Sequence, residues 1–276
     1  MSSISEIFKR SPVIAGPCGI ESRDQALKTA EEAKLHGIEA VRLSLWKPRT
    51  KPGYDGVGLQ GIPWLIDVAR MGLTPATEVM LPSQAEKVID AVIKNTNQNV
   101  LIWLGSRNQN QHIQKGVGKV IAGEPRVMLM IKNQPWLDKD HWEGIVGHVL
   151  DGGASEDQLL LCHRGFAPGT NGFRNTPDFE MALDLKQKTG LPIVLDPSHI
   201  GGSVSNVMQI AKEGVNYRRN GIGFNGLIVE VHPNPTEAKT DGKQQLTWRE
   251  LSSLLGELRV QNTALKMPEV IFSARQ

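Results

Sequence analysis

From Pro12 onward, apolar runs of strand length alternate with segments of helical period. The runs are Val13 to Cys18, Ala40 to Trp46, Leu73 to Val79, Val100 to Gly105, Arg126 to Lys132, Gln158 to His163, Pro192 to Asp196 and Leu227 to Val231. Short apolar runs bounded by turn residues read as strands buried on both faces. The segments between them carry helix-start signals, such as Ser22 followed by Gln25 as a capping box and Thr176-Pro177 as N-cap and first helical residue. Eight strand–helix units, the last helix running from Thr247 to about Leu265, predict a single (β/α)8 barrel of the TIM type. An open doubly wound sheet is the alternative. The barrel takes in about residues 12–265, so residues 1–276 read as one barrel domain with short peripheral ends.

A barrel of this kind gathers the carboxyl ends of its strands at one mouth, and those ends are rich in chemistry. In order they are Gly16-Pro17-Cys18, the cationic stretch from Arg42 through Lys47-Pro48-Arg49-Thr50, Thr77-Glu78, and Gly105-Ser106-Arg107-Asn108. Then come Lys132-Asn133, His163-Arg164-Gly165, Asp196-Pro197-Ser198-His199, and Glu230-Val231-His232 with Asp241 in the following loop. Arg42, Lys47, Arg49, Arg107, Lys132 and Arg164 exceed what one phosphate needs; two phosphates and a carboxylate account for them. Any one arginine alone reads more readily as a surface charge or a salt bridge. Cys18, His199, Glu230 and Asp241 offer sulfur, nitrogen and carboxylate donors that suit a divalent transition ion (Mn, Fe, Co or Zn) better than Mg or Ca. Cys18 as an inert buried thiol and His199 as a core histidine are the plain alternatives. Cys162, Met128, Met130 and the tryptophans read as packing.

Composition narrows this further. The 31 Lys+Arg against 29 Asp+Glu leave a net charge of +2, which gives a nucleic-acid partner no support and leaves the cations to a local explanation. Two cysteines exclude a disulfide framework, and no apolar run approaches the roughly 20 residues of a spanning helix, so a cytoplasmic protein with no membrane partner is expected.

Ala15-Gly-Pro-Cys18-Gly-Ile-Glu-Ser, Arg42 with Lys47-Pro-Arg-Thr50, Gly105-Ser-Arg-Asn108, Lys132-Asn133, Arg164-Gly165, Asp196-Pro-Ser-His199, and Val229-Glu-Val-His232 with Asp241 in Thr-Asp-Gly-Lys-Gln form one ordered series. Together they resemble the type I 3-deoxy-D-arabino-heptulosonate 7-phosphate (DAHP) synthases. The resemblance implies a transferase of the shikimate pathway that condenses phosphoenolpyruvate with erythrose 4-phosphate. It implies that Cys18, His199, Glu230 and Asp241 hold the metal, with Mn the first choice in vitro. Arg42, Lys47, Arg107, Lys132 and Arg164 would hold phosphoenolpyruvate, and Pro48, Arg49 and Thr50 the aldose phosphate. Lys47, flanked by cations, is expected to have a lowered pKa, and either it or metal-bound water would supply or take the protons, the sequence not choosing between them. The related 3-deoxy-octulosonate 8-phosphate synthases, which take a five-carbon aldose, lack Lys-Pro-Arg-Thr at this strand end; a non-catalytic phosphometabolite-binding barrel is a further alternative. His163 stands where many relatives have Glu, and Trp46 where many have Phe. A homo-oligomer is expected, with weak response to aromatic amino acids and a possible chorismate mutase docking at the C-terminal helix.

Overall fold

The computed structural model describes residues 13–48 and 53–264. Among them, eight parallel strands close into a barrel in chain order: β1 (Val13–Gly16), β2 (Ala40–Arg42), β3 (Thr74–Val79), β4 (Val100–Leu104), β5 (Val127–Lys132), β6 (Leu159–His163), β7 (Ile193–Leu195) and β8 (Gly226–Glu230). β8 returns to β1 with Gly16 opposite Glu230, which rules out the open sheet. Around the strands lie α1 (Arg23–Leu35), α2 (Ile62–Arg70), α3 (Pro82–Asn95), α4 (Gln111–Ile121), α5 (Lys139–Asp151), α6 (Phe179–Thr189), α7 (Pro197–Gly201), α8 (Val204–Asn216) and α9 (Trp248–Ala264). None is long and apolar enough to cross a membrane.

Strand periodicity divides the core into two shells. Residues of one parity, including Ile14, Ala40, Ala76, Leu101, Trp103, Met128, Met130, Leu160, Cys162, Val194 and Ile228, form a cluster inside the barrel. Residues of the other parity, such as Val127, Leu129 and Ile131, pack outward under the helices. Because side chains alternate with period two, counting on from the inner set reaches Arg42, Glu78, Gly105, Lys132, Arg164, Asp196 and Glu230 at the carboxyl ends. The inner shell is therefore apolar through its depth and charged at its mouth. Cys162, Met128 and Met130 are core residues, as expected.

Several boundaries differ from expectation. β2 stops at Arg42 because the chain leaves the ladder there: Leu45 N–H donates to Thr77 Oγ1, and Lys47 N–H to the Asp55 carbonyl inside its own loop. Ser22 caps α1, accepting from Gln25 N–H at 3.1 Å, but Gln25 Oε1 turns to Glu21 N–H instead of closing the box. α6 starts at Phe179 under Asp178, not at Pro177, because Thr176 is committed to a bridge with Phe166.

Candidate functional site

At the carboxyl face the barrel opens into a cavity of about 340 Å³. Five cations foreseen at strand ends, Arg42, Lys47, Arg107, Lys132 and Arg164, line it, and so does Pro48. Arg49 and Thr50 lie outside the described residues.

The expected metal donors stand in two close pairs near this mouth. Cys18 Sγ lies 3.4 Å from Asp241 Oδ2. His199 Nε2 lies 3.7 Å from Glu230 Oε1. Its Nδ1 is 2.8 Å from Asp196 Oδ2, off the line of a well-formed hydrogen bond, which leaves Nε2 facing Glu230. Among the described residues no three of these side chains close on a common point as ligands must. The space between Cys18 and Asp241 is held instead by the Lys47 ammonium, 2.7 Å from Sγ and 3.0 Å from Oδ2. The donor set still fits a divalent ion by its chemistry: a thiol, an imidazole backed by a carboxylate and two further carboxylates supply the sulfur, nitrogen and oxygen donors such an ion takes.

Charge sets the protonation states. Burial works to raise the carboxyl of Glu230, but His199, Arg42 and Lys47 outweigh it and hold the pKa below the ordinary range. Asp241 is lowered in the same way, burial being outweighed by Lys47 and Arg174. Asp196 is held well below its ordinary value, burial being outweighed by His199 and Lys132. Burial, with Glu230 adding to it, pushes the Cys18 thiol up to about 12. Lys47 departs from expectation. Burial works to lower it, but Cys18, Glu230 and Asp241 together raise it above its ordinary value. With Cys18 held as a thiol, the two carboxylates dominate near neutral pH, so Lys47 is a stable ammonium there.

The other cations of the cavity are held differently. Arg42 donates to Glu230 Oε1 at 3.0 Å and to the Pro17 and Cys18 carbonyls, while its buried Nη1 has no protein partner. Lys132 pairs with Asp196 at 2.7 Å. The Arg42 guanidinium and the Lys132 ammonium each lie 5.5 Å from the Trp103 ring centroid. Arg164 is anchored to neutral oxygens, donating to Gly165 O at 3.3 Å and Asn175 Oδ1 at 3.1 Å, and burial lowers it to about 10. Arg107 donates to the Pro48 carbonyl at 3.2 Å.

Glu78, Trp103, Arg174 and Lys239 are among the lining residues that had no predicted role. Glu78 is a half-buried carboxyl at the cavity wall whose pKa desolvation pushes up against the pull of Lys47, Lys132 and Arg42. Trp103, read as packing, is part of the site. Both follow from strand parity, since they lie two residues beyond inner positions. Arg174 and Lys239 arrive on loops and had no such signal.

Residues 9–266 match the DAHP synthetase I family. The chain belongs to that family. It is an enzyme of the transferase class. It is 29% identical over 255 residues to a phospho-2-dehydro-3-deoxyheptonate aldolase of Thermotoga maritima, covering 90% of this chain and 68% of the relative. It is 25% identical over 274 residues to a 2-dehydro-3-deoxyphosphooctonate aldolase of Azoarcus sp. (strain BH72), covering 92% and 91%. The crystal structure of the Thermotoga maritima DAHP synthase superposes with a TM-score of 0.79 at 28% identity, covering 92% of this chain and 70% of that one. A truncated form of the Thermotoga synthase gives 0.76 at 27%, covering 92% and 88%.

Proposed function

We propose that the chain condenses phosphoenolpyruvate with D-erythrose 4-phosphate and water to give 3-deoxy-D-arabino-heptulosonate 7-phosphate and phosphate, the first step of the shikimate pathway. The observation that carries this reading is the convergence of Arg42, Lys47, Arg107, Lys132 and Arg164 on one cavity beside the Cys18, His199, Glu230 and Asp241 donors. A divalent transition ion, Mn, Fe, Co or Zn with Mn the first to test in vitro, held by those four donors, supplies Lewis acidity toward the aldehyde. Arg164, Arg42, Lys132 and Arg107 bind the phosphate and carboxylate of phosphoenolpyruvate. The free Nη1 of Arg42 and the neutral partners of Arg164 leave both with charge to give an anion. Pro48, Arg49 and Thr50 take the aldose phosphate.

In the reaction the methylene carbon of phosphoenolpyruvate bonds to the aldehyde carbon, and the aldehyde oxygen takes a proton from the Lys47 ammonium. Water adds to the former enol carbon and gives a proton to Glu78, whose burial raises its basicity. The resulting hemiketal phosphate collapses to the ketone as its C–O bond to phosphate breaks and its hydroxyl proton passes to the departing phosphate, and proton exchange with solvent returns Lys47 and Glu78 to their starting states. The fold's two free cysteines, both buried, accord with cytoplasmic residence. Assembly as a homo-oligomer, and contact of a chorismate mutase with α9, belong to the same reading.

The similarity to 2-dehydro-3-deoxyphosphooctonate aldolases favours one competing reading, a synthase for a five-carbon aldose phosphate. One assay separates them. Phosphate release from phosphoenolpyruvate is measured with four- and five-carbon aldose phosphates, after chelation and again with added Mn²⁺. Turnover with erythrose 4-phosphate, abolished by chelator and restored by Mn²⁺, is expected. Faster turnover of a five-carbon aldose assigns the sister reaction, and activity indifferent to chelator removes the metal role.

A further inference from the structure

The β6–α6 loop carries Arg174 and Asn175 side by side, and each reaches a different part of the site. Asn175 Oδ1 accepts from Arg164 Nη1 at 3.1 Å, and its Nδ2 donates to the His199 carbonyl at 2.6 Å. Arg174 Nη1 donates to Gln244 Oε1 at 2.6 Å and to Asp241 Oδ1 at 3.3 Å. Gln244, buried, passes the contact on by donating to Glu230 Oε2 at 2.6 Å, on the oxygen that Arg42 leaves open. One dipeptide thus touches a substrate cation and, directly or through Gln244, three of the four proposed ligand residues.

Its base is fixed. Phe166 and Thr176 exchange backbone hydrogen bonds at 3.0 and 2.7 Å, closing the loop, and Asn175 N–H donates to the Ile200 carbonyl at 3.1 Å. Two glycines make room for it. A Cβ on Gly165 would lie 2.8 Å from Asn175 Cβ, and one on Gly202 would lie 2.6 Å from Arg174 Cβ; both glycines have positive φ. A rigid segment hydrogen-bonded to two sets of groups holds both in one geometry.

We propose that Arg174, Asn175 and Gln244 are positioning residues that couple the phosphoenolpyruvate cation Arg164 to the metal-ligand set, so that metal and phosphoenolpyruvate bind cooperatively. This rests on the proposed metal site and deepens it. By linkage, Mn²⁺ tightens phosphoenolpyruvate by the same factor by which phosphoenolpyruvate tightens Mn²⁺, expected to be about tenfold.

The test uses the full chain, with Mn²⁺ binding followed by the electron paramagnetic resonance of the free ion and phosphoenolpyruvate binding by calorimetry, each with and without the other. Asn175→Ala is expected to bring the coupling factor close to one. Asn175→Asp, which keeps an acceptor for Arg164 and loses the donor to the His199 carbonyl, is expected to lower the coupling factor and, because its carboxylate takes charge from Arg164, also to weaken phosphoenolpyruvate alone. Gln244→Ala is expected to weaken Mn²⁺ about tenfold or more without changing phosphoenolpyruvate affinity in its absence. Arg174→Lys, which keeps the charge, distinguishes loss of position from loss of fold. Wild-type coupling retained in Asn175→Asp and Gln244→Ala, or independent binding of the two ligands to wild type, overturns the proposal. No Mn²⁺ binding to wild type overturns the metal reading beneath it.

Discussion

Glu78 shows how closely one residue's chemistry depends on its neighbour. A Cβ on Gly105 would come within 1.9 Å of Glu78 Oε1 and 2.9 Å of its Cδ, so the carboxyl occupies space that only glycine leaves open. Gly105→Ala is expected to drive the carboxyl off its position beside Trp103 and lower kcat by roughly 100-fold, the low end of general acid–base contributions, while KM for phosphoenolpyruvate changes little. Since burial raises the Glu78 pKa, the acid limb of the kcat/KM profile should lie above the ordinary carboxylate range and vanish in Glu78→Gln. A Gly105→Ala enzyme with unchanged kcat would remove Glu78 from proton transfer. Glu78 was legible by parity with Ala76, but the state of Lys47 was not. In the chain its neighbours are Arg49 and Lys51, whereas in the fold its ammonium faces Cys18 and Asp241.

At the scale of elements, the turn from β7 into α7 gathers a buried charge pairing of the site. Asp196 caps α7 by accepting from His199 N–H at 3.1 Å, and its other oxygen meets Lys132 at 2.7 Å and His199 Nδ1 at 2.8 Å. Asn caps as well as Asp, so Asp196→Asn keeps the helix start and removes only the charge. Leaving Lys132 without a counter-ion at a buried position is expected to cost on the order of 3 kcal/mol by thermal or denaturant unfolding. Loss of the carboxylate behind His199 is expected to weaken Mn²⁺ roughly 10–100-fold in a chelator competition. An Asn variant with wild-type stability would mean the pair's attraction only balances its desolvation. The strand-to-helix alternation was legible because buried parallel strands are apolar throughout. The start of α6 was not, since Thr176-Pro177 satisfies the local rule and only the pairing of Thr176 with Phe166 assigns the cap to Asp178.

For the whole molecule, closure turned a list of strand ends into one cavity, lined by Arg42, Lys47, Arg107, Lys132, Arg164, His199 and Asp241 among the described residues. Arg174 and Lys239 were missed because their position depends on how loops fold back over the mouth; Lys239 stands 4.9 Å from the Tyr54 ring centroid, across from another loop. Closure also buries His163 under Trp142, Phe166, Phe179 and Phe224, with ring centroids 5.5–6.3 Å away. Burial, aided by Arg164, pushes its pKa down from an ordinary 6.5 to about 3. The unfolded chain therefore takes up a proton below pH 6.5 that the native barrel refuses until about pH 3, so this contribution is fully present above 6.5 and lost as pH falls through that window. The depressed carboxylates Asp196, Glu230 and Asp241 act in the same direction, but only below the ordinary carboxylate values near 4. His199 and His232, also lowered by burial, add to the decline above that range. Between pH 6.5 and 4.5, His163 alone is expected to account for on the order of 2 kcal/mol of lost stability. Urea unfolding of wild type and His163→Phe at both pH values reads this as a difference in slope, independent of how well phenylalanine packs in the cage. Equal slopes would mean that His163 takes up its proton in the native barrel after all.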